Sequence, residues 1–263
     1  MAKVLAISSH VLRGHVGLDA TVPALQSLGH EVWALPTVLL ASRPGLGRLE
    51  RLAFSGEDLS RMLAALEADG CWPQLGAVFT GYFPSADCVA AAAQAVAAIK
   101  VANPAAIVLV DPILGDGGRL YIAEATAEAI RDRLLPLATI ATPNLFELSW
   151  LTGSAPRTIA ETTLAARRLG PPAAFITSAC ETDSAVATLL VQPLEEVLRE
   201  TAKRPGIPNG PGDLFAGLLL GKLLNGSTYA AGLDASLATL DRVLLASTGR
   251  DVLQLATLWG EPD

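Results

Sequence analysis

The chain has 263 residues, of which 51% are hydrophobic and 17% charged, with a formal net charge of −7, so one large domain or two small ones with a substantial core is expected. A mean hydropathy of +0.42 is high for a lone soluble domain and implies apolar surface covered by a second subunit. The acidic balance excludes a nucleic-acid partner, no run of 18 or more uncharged apolar residues marks a membrane span, and residues 1–13 do not read as a leader, so a cytoplasmic protein is expected.

Residues 4–7 form a short apolar run ending in Ser8-Ser9-His10, the pattern of a buried parallel strand opening into a polar loop. Gly14 and Gly17 lie in or beside that loop. A helix is predicted over 19–28, closed by Gly29, with His30 at a surface turn. Residues 31–35 read as a second strand with Thr37 just past it, and 41–56, rich in Gly, Arg, Ser and Pro, as a loop or flap. Helical periodicity over 60–69 places Leu59, Leu63 and Leu66 on one side. A strand over 75–79 leads to Thr80-Gly81-Tyr82, and an Ala-rich helix follows over 86–100. Residues 107–110 are a strand ending in Asp111-Pro112.

A helix over 123–134 and a strand over 139–141 come before Thr142-Pro143-Asn144. Helices over 145–151 and 159–169, a strand over 173–177 and an extended segment over 185–192 follow. A strongly apolar helix over 214–224 and a last helix over 228–247 complete the chain. This alternation is that of βαβ units and predicts one α/β domain with a mostly parallel sheet. Ser9, Thr37, Tyr82, Asp111, Asn144 and Thr177-Ser178 all fall just beyond strands, where an open α/β sheet binds its ligands.

Pro208-Asn209-Gly210-Pro211-Gly212-Asp213 is a permissive turn feeding a buried helix with a carboxylate on its first turn. Free N–H groups there suit an anion, and Asp213 beside them suits a base, the pairing phosphoryl transfer requires. Asp111 and Asp116 flank one loop, the first placed for a divalent cation, the second for substrate or metal or as a loop cap. Asn144 and Glu147 have the spacing of a capping box, and equally of a phosphate and metal-water contact. The Gly-Lys-Ser/Thr ending of a common phosphate loop and the dinucleotide fingerprint are absent. Ser9-His10 lacks a Gly-x-Ser-x-Gly elbow, so a serine hydrolase is disfavoured. His10, His15 and His30 make a zinc site in number only, with His10 and His15 open either to substrate contact or to local hydrogen bonding. Cys71, Cys88 and Cys180 match no metal spacing and read as free thiols.

In order and spacing, the block 9–17, Leu35-Pro36-Thr37-Val38, Thr80-Gly81-Tyr82, Asp111-Pro112-Ile113-Leu114-Gly115-Asp116, Thr142-Pro143-Asn144-Leu145-Phe146-Glu147 and the glycine run before Asp213 resemble the pyridoxal kinases of the ribokinase-like superfamily. The resemblance implies a three-layer αβα sandwich over 1–263 without a large separate lid, and ATP-dependent phosphorylation of the 5′-hydroxymethyl of pyridoxal, often also of pyridoxine and pyridoxamine. It implies Asp213 as base, and Gly210 and Gly212 as anion hole. Ser9, His10, Val16, Thr37, Arg43 and Tyr82 would face the vitamin. Asp111, Asp116, Tyr121, Thr142, Asn144, Glu147, Thr177 and Ser178 would face the nucleotide. Asp111 and Glu147 would bear on Mg2+, with K+ a further candidate, and the enzyme would be a homodimer. A hydroxymethylpyrimidine or dual-specificity kinase is the near alternative, and a non-catalytic vitamin-binding homologue the distant one.

Three features depart from the family pattern. Pro211 stands where a threonine is usual, removing a hydroxyl and a backbone donor from the cradle. Arg43 stands in the flap where some relatives place a histidine, and is expected to steer a phosphate or close the pocket. The segment between Ser178 and Gly210 is shorter than in relatives, where hairpin strands cover the adenine, so ATP contacts there are expected to be reduced or rearranged.

Overall fold

The computed structural model describes residues 1–48 and 50–260. Eleven strands are formed: β1 (Lys3–Val11), β2 (Glu31–Leu40), β3 (Arg51–Ala53), β4 (Leu75–Thr80), β5 (Ile107–Val110), β6 (Gly115–Asp116), β7 (Arg119–Leu120), β8 (Ile140–Ala141), β9 (Ala173–Glu181), β10 (Ala185–Val191) and β11 (Glu196–Ala202). The α-helices are α1 (Leu18–Ser27), α2 (Gly56–Ala68), α3 (Ala86–Ala102), α4 (Glu124–Ala129), α5 (Leu145–Thr152), α6 (Ile159–Arg168), α7 (Pro211–Leu224) and α8 (Tyr229–Ser247). Nine strands make one sheet in the order β11-β10-β9-β8-β5-β4-β1-β2-β3. Its centre is parallel; β3, β10 and β11 add antiparallel pairings at the two ends.

Strand alternation builds the layers. Leu5 and Ile7 of β1 point into a core with Leu59 and Leu63 of α2 and Val89, Val96 and Ile99 of α3. Val4 and Ala6 point the other way, onto Leu18 and Leu25 of α1 and Phe215, Leu219 and Leu220 of α7. A strand buried on both faces reads as a continuous apolar run, which is why residues 4–7 were legible. The result is the expected three-layer sandwich.

Several boundaries differ from expectation for local reasons. β1 and β2 run past their apolar segments, so Ser9 and Thr37 lie within strands and not beyond them. The segment 41–56 is not wholly loop: β3 pairs antiparallel with β2, Ala53 opposite Val38 and Arg51 opposite Leu40. α2 starts four residues before 60, because Ser55 and Asp58 form a capping box. The helix expected over 123–134 is α4 followed by a π-helical turn over Ile130–Leu134. The segment between Ser178 and Gly210 includes a β10–β11 hairpin with seven paired residues on each strand. His30 is buried, its Nε2 2.9 Å from the Gly221 carbonyl, and not at a surface turn.

Candidate active site

A cavity of about 870 Å³ opens where the parallel strands end. Its floor includes the turn into α7. Gly210 has φ +112°, and a Cβ there would collide with the His15 carbonyl, so only glycine fits. Pro211 takes the first helical position, where a proline is favoured because that N–H has no partner within the helix. The turn is therefore undistorted by Pro211, although the missing donor is real. Gly212 meets a different requirement: a Cβ there would touch nothing within 4 Å, so its bareness leaves room in the cavity. No side chain caps this helix start.

Asp213 follows on the same turn and lines the cavity. Its Oδ1 is buried without a hydrogen-bond partner. Burial pushes its carboxyl up to about 6, against the pull of the Gly17 amide and its own. Gly17 is held close by its own bareness, since a Cβ would strike the Ser9 carbonyl and hydroxyl. Asp111 is 7% exposed and accepts from the Thr142 hydroxyl at 2.9 Å. Burial and the charge of Asp213 push it up to about 8. Glu147 is also raised, by burial and then by the charge of Asp111. Three carboxylates thus line one wall, each disfavouring the charge of the next.

Asn144 and Glu147 are a structural pair. Asn144 Oδ1 accepts the Glu147 amide at 2.8 Å, and Glu147 Oε2 accepts the Asn144 amide at 2.8 Å. Glu147 Oε1 also accepts the Leu114 amide at 2.9 Å, and Asn144 Nδ2 donates to the Gly115 carbonyl at 2.9 Å. The pair therefore fixes the β6–β7 ribbon as well as capping α5. Both residues line the cavity, so the two readings of their spacing are compatible.

Ser9, Val16, Tyr82, Asp116, Tyr121 and Thr177 also line the cavity. The Asp116 carboxylate accepts the Gly117 amide at 2.7 Å, a loop contact. The remaining sequence candidates stand outside the lining, for identifiable reasons. Thr37 is fully buried, and its hydroxyl donates to the Tyr82 carbonyl at 2.7 Å, so it positions the tyrosine. His10 Nδ1 lies 2.9 Å from Asp19 Oδ2, which also accepts the Val11 amide at 2.7 Å; local bonding takes this histidine. Arg43 is outside the lining and donates to the Asp251 carbonyl at 2.7 and 3.2 Å. Ser178 adopts φ +49° and leans on Glu181. Sequence reading missed Arg51 and Arg119, which line the cavity from β3 and β7. Only the register of those short ribbons could have found them.

The family model described as phosphomethylpyrimidine kinase matches residues 73–248. A pyridoxal kinase PdxY of Granulibacter bethesdensis is 34% identical, over 97% of this chain and 93% of that one. One from Deinococcus radiodurans is also 34% identical, over 98% and 92%. Among solved structures, pyridoxal kinase from Leishmania donovani in complex with ADP and pyridoxamine superposes with TM-score 0.91 at 28% identity, over 98% of this chain and 94% of that one. Pyridoxal kinase from Entamoeba histolytica gives TM-score 0.92 at 26% identity, over 99% and 96%.

Proposed function

The chain belongs to the phosphomethylpyrimidine kinase family and to its pyridoxal kinases, and from that premise we propose that it transfers the γ-phosphoryl group of ATP to the 5′-hydroxymethyl of pyridoxal, with pyridoxine and pyridoxamine as further substrates. The observation that carries this reading is Asp213: a carboxylate raised to about 6, one oxygen unpartnered, beside an uncapped helix start. A base with an affinity for protons near the working pH is suited to accept one in the transition state.

Ser9, Val16 and Tyr82 receive the ring and direct its hydroxymethyl group to Asp213. As the alcohol oxygen bonds to the γ-phosphorus, the bond from phosphorus to the β,γ-bridging oxygen breaks, ADP leaves, and the alcohol proton passes to Asp213. Charge on the transferring oxygens is met by the Gly212 amide and the helix start. The residues also fit a divalent cation. Asp111 and Glu147 resist ionisation together unless a positive charge joins them. Among the described residues no three His, Cys, Asp or Glu side chains group to hold a metal alone. Magnesium, which takes few carboxylates and completes its shell with water and phosphate oxygens, suits such a wall. When bound, it neutralises the nucleotide phosphates.

The whole chain acts as one kinase domain in this reading, and as a homodimer. Leu12 and Leu52, 71% and 70% exposed beside the end of β2, support a covered face there. The second reading is a hydroxymethylpyrimidine kinase, favoured by the description of the matching family model. Steady-state kinetics with Mg-ATP separates the two. Pyridoxal is expected to give a kcat/KM at least tenfold above hydroxymethylpyrimidine; the reverse order would replace the first reading by the second.

A further inference from the structure

Two cations in the cavity wall, Arg51 and Arg119, are left unused by the reaction as described. Arg51 lines the cavity together with Val38, Leu40 and Tyr82. The charge of Arg119 is felt at Tyr121, on the β6–β7 side, and three further arginines are engaged: Arg43 with the Asp251 carbonyl, Arg199 with Asp234, Arg204 with Asp241. Among the described residues the Arg51 guanidinium has no ion pair and no side-chain hydrogen bond, and its charge is felt at the Tyr82 hydroxyl. The two side chains are set by one strand. β3 is held on β2 by the Arg51–Leu40 pairing and by the Phe54 amide donating to the Thr37 carbonyl at 3.1 Å. Tyr82 is held on the same strand by the Thr37 hydroxyl at 2.7 Å.

Val38, Leu40 and Tyr82 thus share one cavity lining with a guanidinium. A planar cation with free donors selects an anionic oxygen there. Building on the proposed function, we propose that Arg51 is a specificity residue that pairs with the ionised ring hydroxyl of the B6 vitamer. The hydroxymethylpyrimidine ring carries an amino group and no such oxygen, so the same arginine gives it nothing. Arg51 thus discriminates between the two substrate classes that the fold accepts.

The test compares wild type, Arg51→Gln and Arg51→Lys on pyridoxal and on its ring-hydroxyl methyl ether, with Mg-ATP. Arg51→Gln is expected to raise the KM for pyridoxal about tenfold, the loss of one charge-assisted hydrogen bond. The ether, bound weakly by wild type, should change less than twofold, and Arg51→Lys should recover part of the difference. Titration of the nucleotide-free protein with pyridoxal reads the same contact without turnover. The phenolate absorbance of the bound ring should persist to lower pH in wild type than in Arg51→Gln. A pyridoxal KM within twofold of wild type, or an equal rise for both substrates, overturns the assignment. If wild type does not phosphorylate pyridoxal, the proposed function falls, and the absorbance titration still decides the role of Arg51.

Discussion

Replacing Asp213 by Asn should make the protein both more stable and nearly inactive. The carboxyl sits at about 6 in the folded chain against 3.8 for an ordinary aspartate. A group raised on folding favours the fold when protonated; that stability is complete below pH ~3.8 and is lost as the pH rises through about 6. At pH 8 the ionised form then opposes folding by up to about 3 kcal/mol. Asparagine keeps the shape and an acceptor for the Gly17 amide but removes the charge. After the incomplete hydrogen bonding of its NH2 is set against that, a net gain of about 1–2 kcal/mol remains, a rise in Tm of roughly 2–8 °C. The gain should vanish or reverse at pH 4, where folded wild type is protonated and the cost of the NH2 group remains. Turnover should fall by about 10²–10⁴, the usual worth of a general base. Differential scanning fluorimetry across pH 4–8 and initial rates at pH 8 provide both readouts. A variant no more stable than wild type at pH 8, or one retaining a tenth of its turnover, would refute this account of Asp213.

Three further substitutions probe the cradle and its supports. Gly212→Ala adds a methyl to open space on a helix, so Tm should hold or rise slightly while KM for ATP increases at least fivefold; an unchanged KM would show that phosphate does not approach Gly212. Pro211→Thr restores an N–H and a hydroxyl at the helix start, and should tighten ATP binding by about two- to tenfold in calorimetry, whereas weaker binding would assign Pro211 a role of its own. Thr37→Val leaves the Tyr82 carbonyl without its 2.7 Å partner. Stability should drop by about 1–3 kcal/mol in urea melts and KM for pyridoxal should rise with little change in KM for ATP; equal changes in both would remove the link to the tyrosine.

The sequence made the centre of the sheet legible and left its margins obscure, for one physical reason. The Ile107–Val110 strand is buried on both faces and is apolar throughout, so its bounds could be read directly. β11 alternates exposed Glu196, Leu198 and Glu200 with less exposed Val197, Arg199 and Thr201, and its pairing with β10 is a tertiary event that composition does not announce. The same limit governs the site. Asp213, Gly210 and Gly212 were legible because a glycine turn before an apolar helix restricts the chain locally. Arg43 and Arg51 look alike in a Gly- and Pro-rich stretch. Only the three-residue pairing of β3 with β2 brings Arg51 to the cavity wall, while a carbonyl more than two hundred residues away takes Arg43. His10 was ambiguous because Asp19, in the first turn of α1, holds it only in the folded chain.

The most direct test of the central claim is product stoichiometry with purified protein, pyridoxal and Mg-ATP, reading ADP and pyridoxal 5′-phosphate in the same sample. Equal amounts of the two, with pyridoxal 5′-phosphate formation lost in Asp213→Asn, is the predicted result. ADP without pyridoxal 5′-phosphate, or no turnover at all, would contradict it.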